Sequence, residues 1–327
     1  MKRHLTFFFW LAFACAATAQ GDARLWLRLS LTDEQSPTTI AVVGDSLFTD
    51  ADRAIVRLAE AELRQHWTGT PVMLQAASPN PLQLEGASKV SSAAKSGAAT
   101  SPQLGGLRGA GGPRGAGAFS VEKSPQGSIR ILSSSAQGLL YGVYFILRSQ
   151  TMGDGCLCAT LGSDEKTVQQ PTDTLRPIFL ADDLEQIERR GLLTTLARAC
   201  ASLGINAITA SLLEGADTLR SYGIQLLPPT DRLAQQPPSV GGGWRGPSSE
   251  RGQHFLTDSY LDRWHFYLAG RRAWNSSIST EQIAFEWLAQ TFTENPLFIM
   301  PMREKLLNPD ADPADVEQAL QEAARRY

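Results

Sequence analysis

The sequence predicts an α/β protein with an N-terminal α/β layer domain, a short parallel sheet and a C-terminal α-helical segment. Strand-like and helix-like patterns alternate over residues 22–150. Further strand-like runs, separated by helical segments, follow over 172–229, and residues 256–327 have a helical period to the end. A chain of 327 residues is long enough to form two domains that each bury a core.

The first residues have the pattern of a secretory signal peptide, predicted over residues 1–19. Lys2 and Arg3 precede an apolar run that ends at Ala17, and Ala17-Thr18-Ala19 provides the small residues of a cleavage site. The run is shorter than the roughly 20 apolar residues that span a bilayer. We therefore expect an exported protein, periplasmic or extracellular, with no membrane span. A lipid anchor at Cys15 is the alternative.

Charge and cysteine content exclude several classes of partner. The chain has 30 basic and 33 acidic residues, a net charge of -3, which gives no electrostatic reason to bind nucleic acid or an anionic membrane. Cys156, Cys158 and Cys200 remain after the signal peptide, and their spacing fits neither a metal site nor a redox pair. We expect no metal and no cofactor, and small molecules or neutral polymers as partners.

The first half of the N-terminal domain alternates strands with one helix. The run "RLWLRLSL" places its leucines on one side, as a half-buried strand requires, and "TIAVVGDS" is a more buried strand. Thr49 is in position to cap a helix with an apolar stripe from Ile55 to Leu63. The run "PVMLQ" is a third strand.

The second half of this domain follows an insertion of low complexity. Residues 79–117 are mostly Gly, Ala, Ser and Pro and offer too few large apolar groups to offset chain entropy, which predicts a disordered insertion. The runs "AFSVE" and "SIRIL" are two short strands around a turn at Pro125 to Gly127, and a helix from Leu139 to Leu147 ends the domain near Gln150. Residues 152–175 have the composition of a linker.

A second pattern of strands begins near residue 176. The runs "PIFLAD", "INAITASLL" and "IQLLPP" are predicted strands. The spacing of apolar residues from Leu184 to Leu203 predicts one helix. Strands separated by helices or crossovers form parallel sheets, so these three begin a barrel or a doubly wound sheet without completing either. Residues 230–255 are rich in Pro and Gly, lack apolar periodicity and are predicted to be a linker.

The C-terminal segment has several helix signals. Ser279 and Gln282 have the spacing of a capping box, and Asp312-Pro313 begins a last helix. We interpret the aromatic residues of this segment as the core of the helical packing, with sugar stacking as the alternative. They are Trp264, Phe266, Trp274 and Trp287.

Two long stretches stand out, "SLGINAITASLLEGADTLRSYGIQLLPP" and "YLAGRRAWNSSISTEQIAFEWLAQTF", and the runs "WLR", "VVGDS" and "LLYGV" precede them. In this order they resemble bacterial α-glucuronidases of glycoside hydrolase family 67, which remove glucuronic acid from xylan fragments. The first stretch resembles the early barrel segment of that family, and the second is similar to its helical C-terminal domain. The resemblance implies that 172–229 is a fragment of a (β/α)8 barrel and that the substrate is a glucuronic-acid-bearing xylo-oligosaccharide.

The catalytic carboxylates of that family lie on later barrel strands, which would fall between Leu227 and Phe255. About 28 residues are present there, whereas five β/α units need more than about 100. Asp231 and Glu250 are the only acidic residues in this stretch, and no strand is predicted to hold them. No catalytic acid or base is therefore identified, and we expect an inactive homologue.

One substrate-binding residue is carried over from the resemblance. After the first barrel strand the resemblance implies a W-D-N motif, and this chain has Ala181-Asp182-Asp183 at that position. Asp182 matches, but the aromatic residue that would stack on the sugar is replaced by Ala181. Asp182 is equally well placed as the N-cap of the helix that starts at Leu184.

Two alternatives from other classes remain. "GDSL" at 44–47 resembles the nucleophile block of GDSL-type serine esterases, which would make Ser46 the nucleophile, His265 the base, Asp262 its orienting carboxylate and Asn206 the oxyanion donor. The other alternative is a non-catalytic carbohydrate-associated binding protein that uses the two end domains. A homodimer through the helical C-terminal segment is a further expectation.

Overall fold

The structure is a computed structural model, and it describes residues 26, 39–77, 117–124, 127–152, 166–179, 184–209, 217–228, 244–245 and 259–327. Several sequence-based expectations fall outside these residues. They are the signal peptide over 1–19, the first strand apart from Trp26, nearly all of the insertion at 79–117, and Asp182.

The N-terminal domain contains a mixed sheet, five-stranded in the described part of the chain, with the order β1-β2-β4-β3-β5. Strands β1, β2 and β4 are parallel neighbours, and β3 runs antiparallel to both β4 and β5. The strands are β1 (Ile40–Val43), β2 (Val72–Ala76), β3 (Phe119–Lys123), β4 (Ile129–Ser133) and β5 (Lys166–Gln169).

Strand β5 differs from the sequence-based expectation, which places a linker over 152–175. Its four residues are too few to give a periodic signal, so pairing with β3 determines its structure. The Lys166 ammonium lies 2.7 Å from a carboxylate oxygen of Glu122, directly across that pair. The other four strands agree with the sequence patterns.

Two helices cover one face of this sheet. Helix α1 (Asp50–His66) begins at Thr49, whose hydroxyl accepts a hydrogen bond from the Asp52 amide, as its position predicts. Helix α2 (Ala136–Thr151) begins at Ser135, which caps the Gly138 amide in the same way. The apolar stripes of the two helices pack on each other and on the sheet.

A second sheet is entirely parallel and, among the described residues, has the order β8-β7-β6-β9. Its strands are β6 (Pro177–Phe179), β7 (Ala207–Thr209), β8 (Gln225–Leu227) and β9 (Trp244–Arg245). Strand β9 corrects the expectation of a strand-free linker over 230–255. Two residues carry no periodicity, so only the pairing of Ile178 with Trp244 reveals this strand.

The connections from β6 to β7 and from β7 to β8 contain helices. They are α3 (Leu184–Arg189), α4 (Leu193–Leu203) and α5 (Asp217–Ser221). The sequence predicts one helix over 184–203, but Gly191 has a φ of 70° and separates α3 from α4. Helices α4 and α5 contact each other, as expected when right-handed crossovers place successive helices on one face.

The C-terminal segment is helical throughout, as predicted. Its helices are α6 (Tyr260–Trp274), α7 (Thr280–Thr291), α8 (Pro296–Leu307) and α9 (Pro313–Arg326). Each begins at a residue whose side chain accepts a backbone hydrogen bond, namely Ser259, Ser279, Asn295 and Asp312. Helix α6 packs against both α4 and β9, which joins this segment to the parallel sheet.

The helices of the two sheets face each other across one core. Helix α2 contacts α4 and α7, and α1 contacts α5, which gives the layer order sheet, helices, helices, sheet. The buried apolar residues of all parts form one cluster, which includes Trp26. A buried ion pair also crosses this boundary, because Arg198 of α4 lies 2.8 Å from Glu62 of α1.

Gly204 and Gly191 allow a matched test of the packing between α4 and α6. Both have positive φ, 72° and 70°, but a Cβ on Gly204 would lie 2.2 Å from the Trp274 ring, whereas one on Gly191 would meet nothing within 4 Å. Alanine at either position should cost about 1–2 kcal/mol from backbone strain. Gly204→Ala should cost a further 1–3 kcal/mol or so through the clash. Urea denaturation measures both, and equal losses would contradict this packing.

Candidate functional site at the carboxyl edge of the parallel sheet

The carboxyl ends of the four parallel strands lie along one edge of the second sheet. These ends are Phe179, Thr209, Leu227 and Arg245. In parallel α/β folds ligands bind outside the carboxyl ends of the strands, because the connecting loops that start there converge. This edge is therefore the candidate site of the molecule.

Thr209 is the polar side chain that the structure describes at the base of this edge. Its neighbour Ile208 packs into the core with the helices, so alternation along the strand directs Thr209 to the opposite face. Thr209 is 4% exposed, and its Oγ1 has no hydrogen-bond partner in the described part of the chain. A buried hydroxyl without a partner retains its capacity to donate to and accept from a ligand.

Asn206, the predicted oxyanion donor, lies at the opposite edge, before the start of β7. Its Oδ1 accepts a hydrogen bond from the Arg176 amide at 2.8 Å, and its Nδ2 donates to the carbonyl of Thr174 at 2.7 Å. Both ends of the side-chain amide are therefore occupied by the backbone that leads into β6. The structure gives Asn206 the geometry of a residue that fixes strand spacing.

The other residues of the esterase hypothesis lie on two elements, with Ser46 on one and the neighbouring Asp262 and His265 on the other. Ser46 is exposed in a 3-10 turn, Asp45–Leu47, directly after β1 of the first sheet. Asp262 and His265 lie in the first turns of α6. Among the described residues no hydrogen bond joins any two of these side chains or connects them to Asn206, and Asp182 lies outside the described residues.

Helices α6 and α7 are held together by a buried network of charged and polar groups. Arg271 binds both carboxylate oxygens of Glu286, with Nε at 2.8 Å from Oε2 and Nη2 at 3.0 Å from Oε1. The Tyr267 hydroxyl donates to the same carboxylate at 3.1 Å, and Gln290 donates to that hydroxyl at 3.0 Å. The Glu286 carboxylate therefore accepts from two side chains, and Arg271 meets it with two parallel hydrogen bonds, which offsets part of the cost of burying the pair.

The electrostatics of this network favour an ionised carboxylate. Burial acts to raise the pKa of Glu286, but the adjacent Arg271 and Arg148 outweigh it and hold the pKa below its ordinary value of 4.5. Burial and the nearby Glu286 carboxylate raise the pKa of Tyr267, so its hydroxyl remains a hydrogen-bond donor. Arg148 reaches across to α4 and donates to the Ser202 carbonyl at 3.0 Å.

Trp274, the last residue of α6, packs at the point where both sheets meet the C-terminal helices. The Arg176 guanidinium lies 5.3 Å from the centre of its ring, and the rings of Tyr141 and Phe119 lie at 5.6 and 5.9 Å. Burial lowers the pKa of Arg176, whose Nε donates to the Gly204 carbonyl at 2.5 Å. These are packing contacts between structural elements.

The interpretation of the C-terminal aromatics as core is confirmed. Trp264, Phe266, Trp274 and Trp287 are between 0% and 5% exposed, which leaves no ring face available for sugar stacking. The roles of Arg176, Arg271 and Glu286 were missed by sequence reasoning. An arginine or glutamate on a helix carries no local signal of which partner it will meet.

The described residues contain no group of three His, Cys, Asp or Glu side chains arranged to hold a metal ion. No helix in the described ranges has both the length and the apolar character needed to cross a bilayer. Cys200 is buried in α4, and burial raises the pKa of its thiol, which makes it unreactive.

Comparisons with known proteins identify distant structural relatives only. No family model matches the chain, and no curated protein matches it. It is similar to a solved 4-O-methyl-α-glucuronidase of glycoside hydrolase family 115 with specificity for decorated arabinogalactans, at 15% identity and a TM-score of 0.36, over 58% of this chain and 28% of that one.

Two further solved structures are glycoside hydrolases of the hexosaminidase type. An exo-β-N-acetylglucosaminidase of family 20 from Vibrio harveyi matches at 13% identity and a TM-score of 0.31, over 63% of this chain and 36% of that one. A β-hexosaminidase from Streptomyces plicatus matches at 12% identity and a TM-score of 0.33, over 63% and 45%. The chain thus spans less than half the length of these three structures, and a likeness this distant identifies neither substrate nor reaction.

The buried pair in α6 and α7 can be tested by removing its charge. Glu286→Gln leaves Arg271 buried without a counterion and should lower the free energy of unfolding by about 3 kcal/mol. The control Glu304→Gln alters an exposed residue of α8 and should change it by less than about 0.5 kcal/mol. Urea denaturation at pH 7 compares the two, and equal effects would contradict the role of the pair.

The same pair predicts a pH dependence. Because the folded-state pKa of Glu286 is lowered, its contribution is fully present above the unfolded value near 4.5 and is lost as pH falls through the folded value. The stability difference between wild type and Glu286→Gln should therefore shrink below about pH 4.5. A difference that stays constant from pH 7 to pH 3 would be inconsistent with an ionised Glu286.

Proposed function

We propose that this chain is a carbohydrate-related protein of the α-glucuronidase group, of the type that acts in xylan breakdown, and that it lacks glucuronidase activity. We further propose that its parallel sheet is an arc of a (β/α)8 barrel. The observation that carries the barrel proposal is the strand order β8-β7-β6-β9. The resemblance in sequence supplies the family, and the strand order supplies the relation to a barrel.

The strand order fits the two ends of a closed barrel. In an eight-stranded barrel successive strands are neighbours, and the eighth strand pairs with the first. Strands β6, β7 and β8 follow one another in this way, and β9, the next strand in the described sequence, pairs with β6 rather than β8. The four strands therefore correspond to the first, second, third and eighth of a barrel.

Helix α6 fits the same assignment. In a barrel the helix after the eighth strand packs beside the helix after the first. Here α6 follows β9, contacts it and packs against α4, which follows β6. Gly270 permits the close approach of these helices, because a Cβ there would lie 2.7 Å from Leu203. The "GRRAW" run that contributes to the resemblance thus has a packing role in this arrangement.

The length of the chain favours the absence of the four middle strands. Between Leu227 and Trp244 there are too few residues for four β/α units, each of which needs roughly 30 residues. Inverting glycoside hydrolysis requires an acid and a base held on opposite sides of one bond. The family's catalytic strands would fall in this interval.

Two acidic residues, Asp231 and Glu250, follow strand ends of the parallel sheet in the sequence. Asp231 and Glu250 were expected to lack strand ends, yet β8 ends four residues before Asp231 and β9 ends five residues before Glu250. Both lie outside the described residues. The proposal of inactivity rests on the four missing strands, which would carry most of a substrate site.

Export to the periplasm or the extracellular space, and glucuronic-acid-bearing xylo-oligosaccharides as ligands, are parts of the same proposal. The signal-peptide pattern over 1–19 supports export, and the sequence resemblance supports the ligand. In this proposal the protein binds such sugars without cleaving them.

The runner-up is a serine esterase centred on Ser46. The observation in its favour is that Ser46 is exposed directly after the carboxyl end of a parallel strand, in a turn that begins at Gly44 with a φ of 77°. The occupied amide of Asn206 counts against it, and so does the lack of a hydrogen bond between Ser46 and His265 among the described residues.

Activity assays separate these proposals. The mature chain should release no glucuronic acid from aldouronic oligosaccharides above the rate without enzyme, since general acid and base assistance are each worth about 10²–10⁴ in rate. It should also leave short-chain p-nitrophenyl esters uncleaved. Both assays use the same preparation, with Glu250→Gln and Ser46→Ala as variants.

Each positive result has a distinct meaning. Sugar release that is lost in Glu250→Gln would overturn the proposal of inactivity and identify a catalytic carboxylate after β9. Ester cleavage that is lost in Ser46→Ala would replace the glucuronidase assignment with the esterase. Sugar release that survives Glu250→Gln, but is absent from a mock preparation made without the gene, would also overturn the proposal of inactivity, because another carboxylate of the chain would then supply the acid or base. Ester cleavage that survives Ser46→Ala would exclude Ser46 as the nucleophile.

A further inference from the structure

The four-stranded parallel sheet has two free edges in the described part of the chain. Strand β8 pairs only with β7, and β9 pairs only with β6. Parallel sheets occur almost only where both faces are covered, and natural proteins close or cover such edges. Within the described ranges these two edges therefore lack the partner strand that a parallel sheet needs.

Backbone geometry shows which groups of β8 are free. The Gln225 amide donates to the Asn206 carbonyl at 2.8 Å, so this residue directs its backbone groups toward β7. Because backbone groups alternate in direction along a strand, the N–H and C=O of Leu226 point toward the open edge. They can pair with one further parallel strand.

Burial decreases from the centre of the sheet to this edge. Ile178, Ile208 and Leu226 lie at one register level and pack toward the helices. On the opposite face Thr209 of the central strand is 4% exposed, whereas Gln225 of the edge strand is exposed. The uncovered part of that face is thus the part next to the free edge.

We infer that two copies of this chain close one eight-stranded barrel, with β8 of each copy paired to β9 of the other. A two-fold axis along the barrel axis makes both junctions identical, and a half turn closes the ring. Four strands are half of the eight that a barrel needs. Because β8 and β9 run in the same direction, the free edge of β8 in one copy can pair with the free edge of β9 in the other. The carboxyl edges of both copies then form one shared site.

This arrangement differs from the homodimer that the sequence predicts through the helical C-terminal segment. In that segment Leu297 and Met300 are exposed apolar residues on α8 and offer a competing surface. The inference rests on the proposed barrel arc and is independent of the proposed inactivity, because the test measures oligomeric state only. Failure of one therefore leaves the other standing.

Sedimentation equilibrium of the full mature chain, over a range of concentrations, tests the inference. Wild type should be a dimer. Gln225→Lys places an ammonium inside the closed barrel and should weaken the dimer at least about tenfold, because an unpaired buried charge is unfavourable. The matched control Ser221→Lys adds the same charge at an exposed position of α5 and should leave the dimer unchanged.

A backbone variant provides a second test. Leu226→Pro removes the free N–H and should yield a monomer, whereas Leu226→Ala removes similar side-chain contacts, keeps the N–H and should remain a dimer. Circular dichroism establishes that each variant is folded. The double variant Leu297→Glu and Met300→Glu should remain a dimer.

Two results would overturn the inference. The first is a wild-type monomer at all concentrations. The second is a dimer that Gln225→Lys leaves intact, and loss of that dimer in the α8 double variant would place the interface on the C-terminal helices.

Discussion

The contact of α6 with α4 is the interaction on which the rest of the structure depends. At the end of α6 the Trp274 ring lies against Gly204, where any side chain would clash, and over the Arg176 guanidinium. Arg176 leads into β6 and Gly204 leads into β7, while Phe119, on the other side of the ring, belongs to β3. One indole therefore connects both sheets and the C-terminal helices. Arg271, in the last turn of α6, pairs with Glu286 of α7 and so fixes α7 to the same point.

This constraint explains how the proposed barrel arc can stay in place without the middle strands of a barrel. The residues that carry part of the sequence resemblance, Gly270, Arg271 and Trp274, all have packing roles. None of them requires the middle strands of a barrel. An internal loss of those strands would leave the N-terminal domain, the first crossovers and the C-terminal helices in contact, and would create two free sheet edges.

Sequence reasoning succeeded where the signal was local and failed where it was not. Thr49, Ser279 and Asp312 cap helices as predicted, because capping depends on a few adjacent residues. Strands β5 and β9 were missed because four and two residues show no period, and their pairing partners are distant in sequence. For the site, the sequence indicated Asn206 as a polar group, but its bonds to Arg176 and Thr174 could be seen only in the fold.

The central claim is that Trp244 and Arg245 form a strand beside β6, as the last strand of a barrel lies beside the first. Amide hydrogen exchange of the full chain, measured on peptides that span this pair, tests it most directly. The account predicts that at least one of the two amides exchanges at least about tenfold more slowly than in an unfolded peptide, because a paired strand protects its amides. Exchange of both amides at the unfolded rate would contradict the claim.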